Sequence, residues 1–162
     1  RLVATEEQVE AAWSEIDNQL QRRADLIPNL VNTVRGFAQQ EEEIFTRLAE
    51  ARSRLAGAQG VQETAESYGE MQSALSRLLV VVENYPQLRS NENFIRLQDE
   101  LAGTENRIAV ARRRYNEAVQ QFNTRIRSFP ASTIADSLGF EEKEYFEVPE
   151  EDREVPEVDF SE

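Results

Sequence analysis

Apolar residues along this chain recur in alternating steps of three and four, the spacing that gathers them on one face of an α-helix. The clearest series runs from Asn91 to Pro130 through Phe94, Leu97, Leu101, Ile108, Ala111, Tyr115, Ala118, Phe122 and Phe129, with only Thr104 and Arg125 out of step. An earlier series takes in Val9, Trp13, Ile16, Leu20, Ile27, Leu30, Val34, Phe37, Ile44, Leu48, Ala51 and Leu55, and Arg23 and Glu41 stand at its two missing beats. Between Gly57/Gly60 and Pro86 lies a third, Val61, Ala65, Tyr68, Met71, Leu75, Leu78, Val82 and Tyr85. Each stripe is unstable until something covers it, so the pattern predicts an all-α fold in which long helices lie side by side. In the Asn91–Pro130 series the residues between the apolar positions are mainly Arg, Glu, Gln and Asn, in no arrangement that resembles a reaction centre.

The boundaries are less regular than the stripes. Thr5 followed by Glu6, Glu7 and Gln8 reads as a capping box that opens the first helix, and Ser90 or Asn91 caps the last long one. Pro28 admits two readings, because inside a helix it removes a hydrogen bond and clashes with the preceding turn. Either Asp25 is an N-cap and Pro28 sits in the first turn of a new helix, which gives four helices. Or one long helix kinks at Pro28 and keeps its stripe in phase, which gives three. Segments 5–25, 28–56, 61–85 and 91–128 are long enough to overlap side by side, whereas the kinked alternative leaves the early half of the first helix short of partners.

Beyond Pro130 the pattern changes. Ala131 to Leu138 suits a short helix ending at Gly139, after which Pro149, Pro156 and the alternations Phe146/Val148 and Val158/Phe160 suggest extended chain. We therefore divide the chain into a helical unit, 1–140, and an acidic extended tail, 141–162. Composition alone favours an unstructured tail, but aromatic residues are uncommon in purely solvating segments. Tyr145, Phe146 and Phe160 are accordingly expected to anchor it against the helices.

Composition narrows the chemistry. The 162 residues fit one domain, with no cysteine and no histidine, which removes disulfides, thiolate and imidazole catalysis, and the zinc and haem sites built on those ligands. The net charge is -13, yet residues 141–162 hold 11 acids against 2 bases, so the helical unit is nearly balanced. Leu78 to Val82, the longest aliphatic run, is far too short to cross a bilayer. Arg1-Leu2-Val3-Ala4 leads straight into a charged helix with no initiator Met and no signal-like beginning, so a segment ahead of Arg1 is expected to have been removed.

Several clusters invite a chemical reading. A di-iron bundle site needs Glu-x-x-His pairs, which a chain without histidine lacks. Glu41, Glu42 and Glu43 are conceivable carboxylate ligands for magnesium or calcium, but consecutive acids on a helix point apart and are normally solvated. Arg112-Arg113-Arg114, with Arg107 and Arg125 nearby, suggest phosphate binding, yet consecutive guanidinium groups fan out by about 100° per residue. Pairing with acids on neighbouring helices is the expectation there, not nucleic acid. Arg23 and Glu41, standing in for apolar residues, read as register markers. Glu105, Asn106, Arg107, Tyr115 and Asn116 are expected to form an inter-helix network with Asp17, Arg22 and Asn29. Tyr85-Pro86 and the loop Gln87 to Ser90 read as turn chemistry at one end of the helices.

Four blocks in order resemble the LemA family. They are Ala12-Trp13-Ser14-Glu15-Ile16-Asp17 with Arg22-Arg23-Ala24-Asp25-Leu26-Ile27-Pro28-Asn29-Leu30-Val31; Glu83-Asn84-Tyr85-Pro86-Gln87-Leu88 with Asn91-Glu92-Asn93-Phe94; Gly103-Thr104-Glu105-Asn106-Arg107-Ile108 continuing to Arg113-Arg114-Tyr115-Asn116; and Phe129-Pro130 with Tyr145-Phe146 and Val158-Asp159-Phe160. Gly57 to Ser73 matches least. The resemblance implies an antiparallel up-and-down four-helix bundle tethered to a membrane, single-pass, by a helix just before Arg1. It also implies bacterial and sometimes archaeal relatives without an established enzymatic activity, one branch being similar to proteins of magnetosome membranes. It carries over no catalytic, cofactor-binding or metal residue. The expected function is a non-enzymatic scaffold or adaptor whose partners are other membrane proteins or itself, with no nucleic acid, cofactor or small-molecule substrate. The alternative is a regulatory partner of a membrane protease or envelope stress system.

Overall fold

A computed structural model describes residues 2–128 and 131–148, and its regular elements are all helices. They are α1 (Leu2–Arg35), α2 (Glu42–Gly57), α3 (Gly60–Val82), the single turn α4 (Pro86–Arg89), α5 (Glu92–Arg127) and α6 (Ala131–Leu138). Phe129, Pro130, Pro149, Pro156, Val158 and Phe160 lie outside the described residues, as does most of the acidic tail. The stripes are the core: Val9, Ile16, Leu20, Ile27, Leu30 and Val34 from α1 meet Phe94, Leu97, Leu101, Ile108, Tyr115 and Phe122 from α5 in one buried cluster.

α1 packs most extensively on α5 and α2 on α3, with α1 and α2 in contact near their junction. The α1–α5 pair is antiparallel, since Thr5 is bonded to Arg125, Gln19 to Arg107, Arg23 to Thr104 and Thr33 to Asn93. At 34 and 36 residues these two helices are about 51 and 54 Å long. α2 and α3 are shorter, at 16 and 23 residues, and lie against the half of α1 that carries Arg23, Ala24 and Arg35. The other half of α1, around Glu6 and Trp13, is covered instead by residues 140–148, which run as an irregular strap after α6.

Three boundary expectations need correction. α1 passes uninterrupted through Pro28, so there is no new helix at Asp25, and the carbonyl that the proline strands takes a replacement donor from α2. The continuous helix does not run on into residues 42–56 either. It stops at Arg35, where the amides of Phe37 and Ala38 both turn back to the Val34 carbonyl at 2.9 Å. The chain then crosses to Glu41, the N-cap of α2. This crossing shifts the phase of the stripe. Phe37 is left exposed, Ala38 is buried, and Phe45 rather than Ile44 becomes the fully buried residue at the start of α2. Finally, Thr5 is not a cap but a buried residue within α1, which already begins at Leu2.

The other boundaries follow the residues read from sequence. Asn91 caps α5, its Oδ1 accepting from the Phe94 amide at 3.0 Å. Pro86 occupies the first turn of α4, where its missing N–H leaves nothing unpaired. Gly60 at φ 81° and Gly139 at φ 76° make the turns before α3 and after α6, in the left-handed region that a side chain would strain.

Candidate functional site

The polar residues that interrupt the stripes do not scatter; they meet. Arg23 of α1 is 4 % exposed, with Nε donating to Gln72 Oε1 of α3 at 2.7 Å and Nη1 donating to the Leu101 carbonyl at 2.7 Å and Thr104 Oγ1 at 3.0 Å. Thr104, the matching interruption in α5, donates its own hydroxyl to the same Leu101 carbonyl at 2.7 Å. A buried guanidinium with neutral acceptors thus ties three helices at one level. One turn along α1, Gln19 accepts from Arg107 Nε at 3.3 Å and donates to Glu15 at 3.1 Å. At the far end of the same seam, Arg125 Nη1 donates to Thr5 Oγ1 at 3.2 Å.

A second constellation holds the strap. Asn123 donates to the Lys143 carbonyl at 3.0 Å and accepts from the Lys143 amide at 2.8 Å. Asn116 does the same to Phe146, at 3.3 Å and 2.9 Å. Each amide side chain therefore pairs with a backbone as a neighbouring β-strand would. The spacing is physically matched: seven helical residues advance about 10.5 Å, and three extended residues cover about the same distance. Since the higher number on α5 meets the lower number on the strap, the strap runs antiparallel to α5. Tyr115 adds a hydroxyl bond to the Glu144 carbonyl at 2.8 Å.

Side chains lock the strap from beneath. Phe146 is wholly buried against Trp13 and Tyr68, with ring centroids 5.9 and 6.4 Å away, and Trp13 in turn packs on Tyr115 at 5.4 Å. Phe140 meets Phe122 edge-on at 5.9 Å. Lys143 pairs with Glu6 of α1 at 2.9 Å and lies 5.4 Å from the Phe122 ring centre. Phe146 and Val148 turn inward while Tyr145 and Glu147 face solvent, the alternation of extended chain. The expected Phe146 anchor is present. Tyr145 is 39 % exposed and anchors nothing, because it has the opposite parity, and Phe160 lies outside the described residues.

Burial raises the pKa of both tyrosines beneath the strap. Tyr115 is pushed up to about 12, first by desolvation and then by the nearby Glu144 carboxylate. Tyr68 is also raised, by desolvation and by Glu105, against the lowering effect of Arg23 and Arg112.

The network expected from sequence is only partly the one that forms. Arg107 does cross to α1, but its partner is Gln19, and Tyr115 and Asn116 serve the strap instead of α1. Asp17 bonds within its own helix to Gln21, the Asn29 carbonyl accepts from Thr33, and Arg22, Glu105 and Asn106 are exposed. Gln19, Gln72 and Asn123 are participants that the sequence does not single out; Asn123 alone offers a signal, standing seven residues after Asn116. Glu41 stands at the N-cap position of α2 without a side-chain capping bond, while Glu42 and Glu43 pair with Arg35 and Arg47. Among the described residues no three acidic side chains converge as metal ligands would. A shallow groove of about 240 Å³ between α1 and α5 is lined by Glu15, Gln19, Asn106, Arg107, Val110 and Arg114.

Chemically, these constellations are built to hold main chain and to fix the sliding of one helix on another. The chain is similar in sequence to several known proteins. The chain is 28% identical over 171 residues to the magnetosome protein MamQ 2 of Paramagnetospirillum magneticum, covering 90% of this chain and 63% of that one. Against magnetosome protein MamQ of Magnetospirillum gryphiswaldense it is 27% identical over 166 residues, 86% of this chain and 61% of the relative. Against Protein LemA of Metamycoplasma hominis it is 24% identical over 154 residues, 94% and 70% of the two chains. The chain thus spans less than two thirds of the length of the magnetosome relatives. The LemA family pattern matches from residue 12 to residue 160, taking in both the α1–α5 seam and the strap, and the chain belongs to the LemA family.

Proposed function

We propose that this chain is the helical part of a non-enzymatic, membrane-tethered scaffold or adaptor, an antiparallel up-and-down four-helix bundle held by a single-pass anchor ahead of Arg1. The observation that carries this reading is the use made of buried polar side chains. Gln19, Arg23, Thr104 and Asn123 all satisfy another helix or the strap, so what the molecule offers a partner is shape and surface. Membership of the LemA family and the magnetosome proteins among the relatives support the membrane setting. An anchor leading into α1 sets the Thr5–Arg125 end beside the bilayer and holds the loops at 36–41 and 83–91 about 50 Å away. Those loops and the helix faces are the surfaces available to other membrane proteins or to a second copy.

Affinity capture of the full-length protein from detergent-solubilised membranes tests this. The expected result is recovery with itself or with several membrane components, from the membrane fraction only. Capture of one stoichiometric membrane protease would replace scaffolding with regulation, and recovery wholly outside the membrane fraction would remove the tether.

A further inference from the structure

The strap is held the way a protein holds a foreign peptide. Asn116 and Asn123 read its main chain, each bonding both the N–H and the C=O of one residue, and Phe146 is enclosed against Trp13 and Tyr68. This is recognition of extended chain through its backbone, with one aromatic anchor. The trough between α1, α3 and α5 demands little else of an occupant: a base to meet Glu6 beside the Phe122 ring, an aromatic residue three positions on, and an aliphatic one two further. Lys143, Phe146 and Val148 supply these, while Glu144, Tyr145 and Glu147 stay in solvent.

The walls of this trough do not depend on the strap. α1 and α5 are joined by their own stripes, and Arg23 ties α1, α3 and α5 through Gln72, Leu101 and Thr104. The strap leaves α6 by a turn at Gly139, where φ is 76° and the Phe140 amide bonds the Ala135 carbonyl at 2.9 Å. Rotation at this glycine, which is open to either hand of φ, swings the strap off while α6 stays on α5. An emptied trough then meets, on a second copy, a segment that satisfies each of its demands by identity, and reciprocal exchange restores every bond that opening breaks.

We propose that the trough is an intermolecular site whose occupant is the strap of a second copy, so that neighbouring chains join by exchanging residues 140–148. The molecule's own strap competes at an effective concentration on the order of 1 mM, so exchange belongs to crowded copies and dilute ones stay closed. To the loops and helix faces open to a second copy this adds a site that needs no anchor, and the exchange and the tether stand or fall separately.

Two full-length variants with complementary defects test the exchange. Phe146→Ala keeps the trough and spoils the strap; Asn116→Ala/Asn123→Ala keeps the strap and spoils the trough, and Trp13→Phe in the latter leaves the former with the chain's only tryptophan. Circular dichroism checks that both remain helical. Mixed, they are expected to associate roughly tenfold more tightly than either does alone by analytical ultracentrifugation, with Trp13 emission moving to the blue as a Phe146 ring returns to it. A mixture that stays monomeric overturns the proposal, and so does a dimer that leaves Trp13 unchanged or that either variant forms equally well alone. A pair with neither defect repeats the test at about 1 mM. One copy carries a nitroxide on Tyr145→Cys, clean in a chain without cysteine, and the other is isotopically labelled. Broadening of the Asn116 and Asn123 side-chain amides in the labelled copy is expected, and its absence overturns the exchange.

Discussion

Arg52 Nε donates to the carbonyl of Ala24 at 2.9 Å, and Ala24 stands four residues before Pro28. In an unbroken helix that carbonyl accepts the amide of residue 28, which proline does not possess. A side chain from α2 therefore supplies the donor that α1 lacks, with Asp25 and Arg52 3.7 Å apart as an exposed and minor addition. The proline and the arginine form one device, and its parts should prove thermodynamically linked.

Arg52→Ala is expected to cost about 1–2 kcal/mol, the worth of a charge-assisted hydrogen bond together with an unsatisfied carbonyl. In a Pro28→Ala background, where the helix bonds itself, the same change should cost less than half as much. Urea unfolding of the four proteins of this double-mutant cycle measures the coupling; strict additivity would separate the two residues.

The buried guanidinium yields a second expectation. Arg23→Ala should destabilise by about 2–4 kcal/mol, because it leaves a void among α1, α3 and α5 as well as unanswered acceptors. Arg23→Met, which keeps the stem, should recover more than half of that loss. The Leu101 carbonyl retains the Thr104 hydroxyl, and Gln72 lies near enough to solvent to find water. Equal losses in both variants would show that the charge, not the volume, matters.

Strap release is predicted to be local in origin and readable residue by residue. Asn123→Ala removes both bonds to Lys143, costs roughly 1–3 kcal/mol, and should speed exchange of the Lys143 amide at least tenfold. Asn116→Ala should do the same at Phe146, while the amides of α2 and α3 keep their protection. Uniform acceleration across all helices would mean that the strap is an integral part of global unfolding.

Alkaline pH should loosen the molecule from the same side. Tyr115 holds its proton to about 12 in the folded chain and to about 10 when unfolded. Between those values the unfolded state binds fewer protons, so stability conferred by the neutral phenol is intact below pH 10 and is lost as pH rises through 12. Tyr68, also raised, falls in the same direction. Tyr115→Phe should flatten the alkaline decline in chemical denaturation, at the cost of the bond to the Glu144 carbonyl at neutral pH.

Which features the residues foretell follows from how each is encoded. Burial along α1, α3 and α5 is periodic, so spacing alone places Ile16, Leu20, Leu75, Leu78, Leu97 and Ile108 in the core. Interruptions are equally visible, and Arg23 and Thr104 prove to be two ends of one contact. The break after Arg35 is hidden, because Phe37 continues the three-four rhythm that the chain abandons there; only Gly36 hints at it. The ladder on Asn116 and Asn123 is hidden for another reason: side chains that bind main chain leave no pattern in the residues they bind. Parity is the clue in the tail, where Phe146 and Val148 share a face that Tyr145 does not.

The seam between α1 and α5 is pinned close to both extremities, by Thr5 with Arg125 and by Thr33 with Asn93. Traction applied at the amino terminus and resisted at the distal loops runs parallel to that seam, so it loads every pin in shear at once instead of peeling them one by one. A rod wired in this way yields late and all together, a mechanical grade of stiffness directed along its own length.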